Sequence, residues 1–210
     1  MEKICTIIGP MWKGERRESM ASGSPHLVLC ADGGYDAAVA YGIRPDFVIG
    51  DFDSMPVSHL AQIPFRQLSW HKDDTDMRLC LEEGRSRGYR VFQIYGGLGG
   101  RLDHTLANIQ CLAECADKGE EAWLFDSRHA LTVLLPGEYT FPGRAEQYLS
   151  IFAMTERVEH VELTGTEWEL HGTDLVQTYP LGVSNQMRAE RVHLAFSSGR
   201  LILVFCDKEG

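Results

Sequence analysis

The residues with the clearest capacity for chemistry are aspartates in two short motifs. Gly50-Asp51-Phe52-Asp53-Ser54 follows the apolar segment 47–49, and Lys72-Asp73-Asp74-Thr75-Asp76 lies downstream. Two like charges about 4 Å apart repel by roughly 4 kcal/mol at an effective dielectric of 20, so several carboxylates in one cleft need a cation. Oxygen ligands without histidine or cysteine beside them favour Mg²⁺, which usually serves a phosphate-bearing substrate. Any single aspartate could instead be a turn or cap residue, but the set as a whole favours a functional site.

Two glycine-rich segments predict a cradle for phosphate. Asp32-Gly33-Gly34 precedes a helical stretch at 35–41, so its glycines could present N–H groups at a positive helix end. Gly96-Gly97-Leu98-Gly99-Gly100-Arg101 leads into a helix that carries Asp103, His104 and Asn108. Four glycines in five residues cost backbone entropy on ordering, and a close ligand approach explains them better than a generic loop does. The segment matches neither the Walker pattern nor the GxGxxG fingerprint, and His104 taken alone could equally be structural.

The composition limits the partners. A formal net charge of −10 argues against nucleic acid, since binding to a phosphate backbone relies on clustered lysine and arginine. ATP remains compatible if Mg²⁺ and a few placed cations neutralise the triphosphate, and Lys72 and Arg101 stand in the motifs to do so. No apolar run approaches the roughly 20 residues of a membrane helix, and the N-terminus lacks a signal-peptide pattern. We therefore expect a soluble cytoplasmic protein.

The six cysteines form no CxxC pair and mostly occupy apolar segments, which is typical of reduced, buried thiols. Cys111 and Cys115 are four residues apart on a predicted helix, the spacing of a soft-metal site. No second ligand pair accompanies them, so core packing is the favoured interpretation.

The pattern of apolar residues predicts an α/β fold with a second, β-rich part. Residues 1–132 alternate short apolar runs with helical segments, of which 75–87 and 102–118 are the clearest; in the latter Leu106, Ile109, Leu112 and Ala116 should face the core. This predicts a parallel, Rossmann-like sheet covered on both faces, with ligands at the carboxyl ends of its strands. The predicted strands are 4–8, 27–31, 47–49, 66–70, 91–95 and 122–125.

Residues 133–210 lack helical periodicity and predict antiparallel β structure. Pro136-Gly137 and Pro142-Gly143 lie where the helical pattern of apolar residues gives way to a strand pattern. We therefore place the domain boundary near residues 132 and 133. Ser197-Ser198-Gly199-Arg200 predicts a hairpin connection. The predicted strands are 148–154, 158–163, 192–196 and 201–205.

The four motifs, in this order and spacing, resemble the thiamine pyrophosphokinase (thiamine diphosphokinase) family. The resemblance covers most of residues 30–110, and the β-rich remainder resembles that family's smaller C-terminal β-sandwich, including a late Ser184-Asn185 pair. The resemblance implies a homodimer in which thiamine lies between the catalytic domain of one subunit and the β domain of the other. It also implies transfer of a pyrophosphoryl group from ATP to the thiamine hydroxyl, with release of AMP.

Roles for individual residues follow from the charges and from this resemblance. Lys72 and Arg101 would offset charge that develops as the bond to AMP breaks, and Asp76 or Asp103 would accept the hydroxyl proton. The Mg²⁺ ligands would be Asp51, Asp53, Asp73 and Asp76. The ATP-binding residues would be Asp32, Gly33, Gly34, Gly97, Gly99, Gly100, Arg101, His104 and Asn108. The thiamine-binding residues would be Thr75, Trp168, Ser184 and Asn185.

The chain also departs from the family pattern. Gly9-Pro10 stands where many relatives carry two glycines, and proline has no N–H to donate to a nucleotide. Cys80 replaces a small residue, which should affect packing only. The segment around Trp168 resembles its family counterpart loosely, so that Trp168 is either a platform that stacks on thiamine or a tryptophan of the sandwich core.

Two other functions fit the same residues. A related pyrophosphokinase could act on a hydroxymethylpterin, since the ATP half of the site would look alike and only the acceptor pocket would differ. The chain could instead be a nucleotide-binding regulatory or hydrolytic module that uses the aspartate and Mg²⁺ site without an acceptor. That second reading leaves Trp168, Ser184 and Asn185 without a shared task.

Overall fold

The computed structural model describes residues 3–15, 26–52, 60, 63–67 and 74–208. The chain divides into two compact units, Met1–Ser127 and Arg128–Gly210. Three predicted site residues, Asp53, Lys72 and Asp73, lie outside the described residues. Within the described ranges, no helix combines the length and apolar character needed to cross a membrane.

The first unit is a parallel sheet with three helices. Its six strands are ordered β6-β5-β1-β2-β3-β4, and every neighbouring pair is parallel. Parallel pairing places the carboxyl ends of these strands at one edge, where ligands of open α/β sheets bind. The strands are β1 (Ile4–Ile8), β2 (His26–Ala31), β3 (Phe47–Gly50), β4 (Phe65–Gln67), β5 (Val91–Tyr95) and β6 (Glu121–Phe125). The helices are α1 (Gly34–Ala40), α2 (Asp76–Ser86) and α3 (Leu102–Asp117).

Helices cover both faces of this sheet. Ile8 and Cys30 share a rung, and they form one buried cluster with Tyr35 and Ala38 of α1. The neighbouring side chains along each strand point to the opposite face. There Gly84 of α2 lies against Cys5 and Phe92, which pair across β1 and β5. The mixed α/β architecture predicted for this part of the chain is therefore confirmed.

The two longer helices begin where the sequence predicts. Thr75 is the N-cap of α2, and its hydroxyl accepts a hydrogen bond from the backbone N–H of Arg78 at 3.2 Å. The apolar face predicted for α3 is wrong at its start, because Leu106 is 56% exposed. Burial of α3 begins at Asn108 and centres on Leu112 and Cys115, so the first turns of the helix extend beyond the packed face.

A charge network connects α2, α3 and the start of β6. Arg85 bonds Glu120 at 2.8 Å, and their side chains are only 8% and 3% exposed. Arg85 also lies 3.4 Å from Glu114, which pairs with Lys118 at 2.7 Å and with Arg78 at 3.2 Å. Burial opposes the charge on Arg85, but the bond to Glu120 and the nearby acidic groups raise its pKa.

The cysteines pack as predicted. All six are free thiols, and five of them are buried. Burial raises the pKa of Cys111 to about 11 and that of Cys115 to about 12, so both remain neutral thiols at physiological pH.

The second unit contains two antiparallel sheets. Their strand orders are β12-β9-β14-β7 and β11-β10-β13-β8. The rings of Phe141 in β8 and Phe205 in β14 meet edge to face with centroids 5.5 Å apart, which joins the two sheets. The strands are β7 (His129–Leu134), β8 (Gly137–Pro142), β9 (Gln147–Ala153), β10 (Arg157–Thr164), β11 (Leu170–Val176), β12 (Gly182–Gln186), β13 (Arg191–Phe196) and β14 (Leu201–Asp207).

The hairpin predicted at residues 197–200 is wrong. β13 pairs with β8 and β10, whereas β14 pairs with β7 and β9, so the connection passes from one sheet to the other. A short turn with a glycine is compatible both with a hairpin and with a connection between two sheets. Gly199 has a φ of +90° and packs against the carbonyl of Arg157 in β10.

The buried ion pair generates the first prediction. Arg85→Ala leaves Glu120 buried with Arg90, 3.8 Å away, as its remaining cation. Because Arg90 is exposed and compensates the buried carboxylate only weakly, most of its desolvation cost remains, and we expect the free energy of unfolding to fall by about 3 kcal/mol. Urea unfolding followed by circular dichroism measures the change. Lys118→Ala removes an exposed member of the same network and should cost at most about 1 kcal/mol. Equal losses in the two variants would contradict the assigned role of the pair.

Candidate active site

A cavity of about 480 Å³ opens at the carboxyl ends of the strands in the first unit. Its walls come from the segments that follow β1, β2, β3 and β5 and from the first turns of α2 and α3. The structure brings together these predicted site residues in its lining: Asp32, Asp51, Thr75, Asp76, Gly97, Gly99, Arg101, His104 and Asn108. The predicted residues Gly33, Gly34, Gly100 and Asp103 lie outside this lining.

Carboxylates dominate the charge of the cavity. Asp32, Asp51, Asp74 and Asp76 line it, and Arg101 faces them from the glycine-rich loop. Oxygen-only donors are the set that a hard cation such as Mg²⁺ prefers, so the residues fit that ion in kind. In the part of the chain that the structure describes, no group of three or more acidic, histidine or cysteine side chains is close enough to hold a metal.

The backbone turns sharply between the two predicted metal ligands of the first motif. Phe52 has a φ of +57°, a left-handed conformation that costs a bulky residue about 1–2 kcal/mol. Its ring is buried and meets Phe65 edge to face, with centroids 5.6 Å apart. Core packing thus holds a strained residue in place directly after Asp51.

Close backbone approach explains two of the site's glycines. A side chain on Gly96 would collide with the carbonyl of Gly9 and the backbone of Trp12, where the ends of β1 and β5 meet. A side chain on Gly34 would collide with the carbonyl of Ile8, so glycine lets α1 begin directly against β1. Both positions shape the site through the packing of its backbone.

Asn108 of α3 holds the glycine-rich loop through a hydrogen bond. Its side chain is buried and donates a hydrogen bond to the carbonyl of Gly97 at 2.7 Å. This bond anchors the loop to α3. Asn108 lies one helical turn after His104, which is exposed and lines the cavity. The loop is therefore shaped before any ligand arrives.

Arg101 and Asp103 form a two-point ion pair at the start of α3. The guanidinium donates hydrogen bonds of 3.1 and 2.6 Å to the carboxylate, and both side chains are exposed. The hydrogen bond from Arg101 lowers the pKa of Asp103, while the same bond raises the pKa of Arg101. Asp103 is thus ionised and a weak proton acceptor in this arrangement.

Sequence reasoning missed part of the lining. Asp74 lies in the cavity wall and pairs with Arg78 at 2.7 Å, an i, i+4 spacing that the sequence does contain. Arg78 in turn bonds Glu114 of α3 at 3.2 Å. Neutral residues without a chemical signature in the sequence complete the unpredicted part of the wall: Pro10, Met11, Ala31 and Met77. Gly96 also lines the cavity and belongs to the glycine-rich segment predicted to cradle phosphate.

Two of the three predicted thiamine residues of the second unit, Trp168 and Asn185, line a smaller cavity of about 240 Å³, whereas Ser184 lies outside its lining. Trp168 lines it and is 60% exposed, so its assignment to the sandwich core is wrong. Asn185 lines it too but is buried, and Ser184 is exposed with a φ of +56°. The rest of this lining is apolar: Leu163, Leu170, Leu181, Gly182 and Val183.

Comparisons with known proteins agree with this arrangement. Residues 21–124 match the family model for the thiamin pyrophosphokinase catalytic domain. Residues 138–201 match the model for the vitamin B1 binding domain of thiamin pyrophosphokinase. A curated relative, the thiamine pyrophosphokinase of Bacillus subtilis, is 29% identical over 184 residues, which are 85% of this chain and 86% of the relative.

Solved structures show the same fold over the full chain. The crystal structure of thiamine pyrophosphokinase from Bacillus subtilis matches with a TM-score of 0.88 and 25% identity, covering 100% of both chains. That of thiamin pyrophosphokinase from Geobacillus thermodenitrificans matches with a TM-score of 0.84 and 28% identity over 99% of each chain. With both of its domain models matched in order, the chain belongs to the thiamine pyrophosphokinase family of diphosphotransferase enzymes.

Proposed function

We propose that this enzyme transfers the pyrophosphoryl group of ATP to the hydroxyl of thiamine, in a magnesium-dependent reaction that gives thiamine diphosphate and AMP. The observation that carries the proposal is the carboxylate-lined cavity, with its arginine and glycine-rich loop, at the carboxyl ends of the parallel strands of the first unit. Its volume of about 480 Å³ is in the range of small-molecule sites. The family resemblance supports a homodimer as the working form.

The first unit supplies the charges for ATP. Asp51, Asp53, Asp73 and Asp76 would hold Mg²⁺, which when bound neutralises negative charge on the phosphate oxygens. Arg101 and Lys72 offset the charge that builds on the departing AMP oxygen. The glycine-rich loop, held by Asn108, presents its backbone to the phosphates, and Asp32 and His104 also line the cavity. Catalysis then rests on positioning and electrostatics, as in other phosphoryl transfers.

Asp76 is the better candidate to accept the proton of the thiamine hydroxyl. It lines the cavity at the first turn of α2, beside Thr75. Asp103 lies outside the lining, and its pKa is lowered by the hydrogen bond from Arg101. A carboxylate that already accepts two charged hydrogen bonds gains less from a further proton.

The second unit supplies a surface for the rings of thiamine. Trp168 presents an exposed indole beside an apolar cavity, and indole faces attract flat cationic rings such as the thiazolium. Ser184 and Asn185 lie on the neighbouring strand β12. This gives the three residues one shared task.

The direct test is an AMP-release assay with purified protein, ATP and Mg²⁺. We expect AMP formation to require thiamine and to stop when EDTA removes the metal. The same assay with a hydroxymethylpterin as acceptor provides the control. AMP formed with the pterin alone would favour a pterin pyrophosphokinase, and ATP consumption unaffected by thiamine would favour a hydrolytic module.

The metal role of the first motif predicts the behaviour of two variants. Asp51→Asn and Asp53→Asn each remove one charged oxygen donor, so kcat should fall by about a hundredfold or more while the circular dichroism spectrum stays unchanged. Asp36→Asn, which alters an exposed carboxylate of α1 outside the cavity, is the matched control and should retain full activity. An active Asp53→Asn enzyme would overturn the assignment of that residue to the metal.

The choice of proton acceptor can be tested in the same way. Asp76→Asn should lower kcat by about 10²-fold or more even at saturating Mg²⁺, because an amide cannot take the hydroxyl proton whether or not the metal is bound. Asp103→Asn should lower kcat by less than about tenfold, since it only loosens an exposed ion pair with Arg101. A larger loss in Asp103→Asn than in Asp76→Asn would reverse the assignment.

A further inference from the structure

The best-defined polar contact beside the apolar cavity of the second unit joins a buried side chain to an exposed one. Asn185 in β12 is 4% exposed, whereas Trp168, in the loop between β10 and β11, is 60% exposed. The resemblance alone gives both residues the same role, direct contact with thiamine. Their burial differs too much for that role to be shared equally.

The amide of Asn185 binds the backbone of Trp168 at both of its polar groups. The Trp168 N–H donates to Oδ1 of Asn185 at 3.0 Å, and Nδ2 of Asn185 donates to the Trp168 carbonyl at 2.6 Å. Nδ2 also donates to the hydroxyl of Thr166 at 3.2 Å. A side-chain amide offers an acceptor and a donor side by side, as the backbone of a paired strand does. It can therefore satisfy both the N–H and the carbonyl of a loop residue.

Further contacts hold the same loop. The hydroxyl of Thr166 donates to the Trp168 carbonyl at 3.1 Å, which closes a small buried network with Asn185. The backbone N–H of Glu167 donates to the carbonyl of Gln186 at 2.8 Å. The loop is therefore fixed at three successive residues by β12 and by its own threonine.

An irregularity in β12 places Asn185 for this contact. In a regular strand, Gly182 and Asn185 would face opposite sides, because side chains alternate. The pairing of β12 with β9 shifts register between these two residues, and Ser184 there has a φ of +56°. As a result both Gly182 and Asn185 line the cavity beside Trp168.

We infer that Asn185 is a positioning residue for thiamine, which fixes the backbone of Trp168 so that its indole stands ready as a platform at the cavity. With the backbone fixed, the indole has only its two side-chain torsions left to order when a ring stacks on it, which lowers the entropic cost of binding. The inference rests on the proposed function, because it gives Trp168 thiamine as its ligand.

Steady-state kinetics separates this indirect role from direct contact. Asn185→Ala should raise the KM for thiamine about tenfold, with kcat and the KM for ATP within about twofold of wild type. Trp168→Ala should raise the thiamine KM at least as much. The double variant should be no worse than Trp168→Ala alone, since Asn185 acts through Trp168. Additive losses would mean that Asn185 contacts thiamine itself and would overturn the inference.

Two further variants guard against a trivial loss of folding. Thr166→Val keeps the shape of the side chain and removes one member of the network, so it should raise the thiamine KM in the same direction by about threefold. Gln186→Ala changes the neighbouring residue of β12, whose side chain bonds Lys208, and should leave the thiamine KM unchanged. Equal effects of Gln186→Ala and Asn185→Ala would show a general weakening of β12 and contradict a specific role.

Amide hydrogen exchange tests the hold on the backbone without any activity. The Trp168 N–H should be protected in the free wild-type protein and exchange at least about tenfold faster in Asn185→Ala. Unchanged protection would overturn the inference whatever the kinetics show. If wild-type protein released no AMP in response to thiamine, the proposed function would fail, and the substrate role of Asn185 with it. The exchange experiment would still decide whether Asn185 fixes Trp168.

Discussion

Repulsion between carboxylates that share one cavity is the constraint on which this site depends. Four aspartates line the cavity of the first unit, so an anionic ligand would meet negative charge there unless a cation offsets it. Within the protein, Arg78 pairs with Asp74. The proposed function adds Mg²⁺, Lys72 and Arg101 as the positive charges that meet the triphosphate.

The scaffold holds these charges in place through connections between helices. Asp76 stands at the first turn of α2, and Arg101 immediately precedes α3. Arg78 of α2 bonds Glu114 of α3, which also lies 3.4 Å from the buried Arg85. The network therefore ties the first turn of α2, which lies beside the cavity, to the last turn of α3. Stability and site geometry depend on the same ion pairs.

The sequence predicts what depends on local patterns and misses what depends on tertiary contacts. The start of α2 near residue 75 and the alternation of strands and helices that indicates a parallel sheet follow from local patterns, and both are present. The exposure of Leu106 could not be predicted, because helical periodicity does not reveal where a helix leaves the packed face. The connection after β13 depends on which sheet β14 joins. That pairing involves strands distant in the sequence, and a Ser-Gly turn does not determine it. The hydrogen bonds that hold the backbone of Trp168 likewise come from Asn185, a residue on another strand.

The two units contribute different interactions to the proposed selectivity, charge in the first and aromatic and apolar contacts in the second. Charge in the first unit recognises any metal-bound triphosphate and says little about the acceptor. The apolar cavity around Trp168 must therefore distinguish acceptors, and flatness alone would admit a pterin as readily as thiamine. The thiazolium ring carries a positive charge that a neutral pterin lacks, and an indole face attracts such a cation by about 0.5–2 kcal/mol. If the indole were mobile, the entropic cost of ordering it on binding would offset this cation–π free energy. Because Asn185 holds the backbone of Trp168, more of that free energy can contribute to the preference for thiamine.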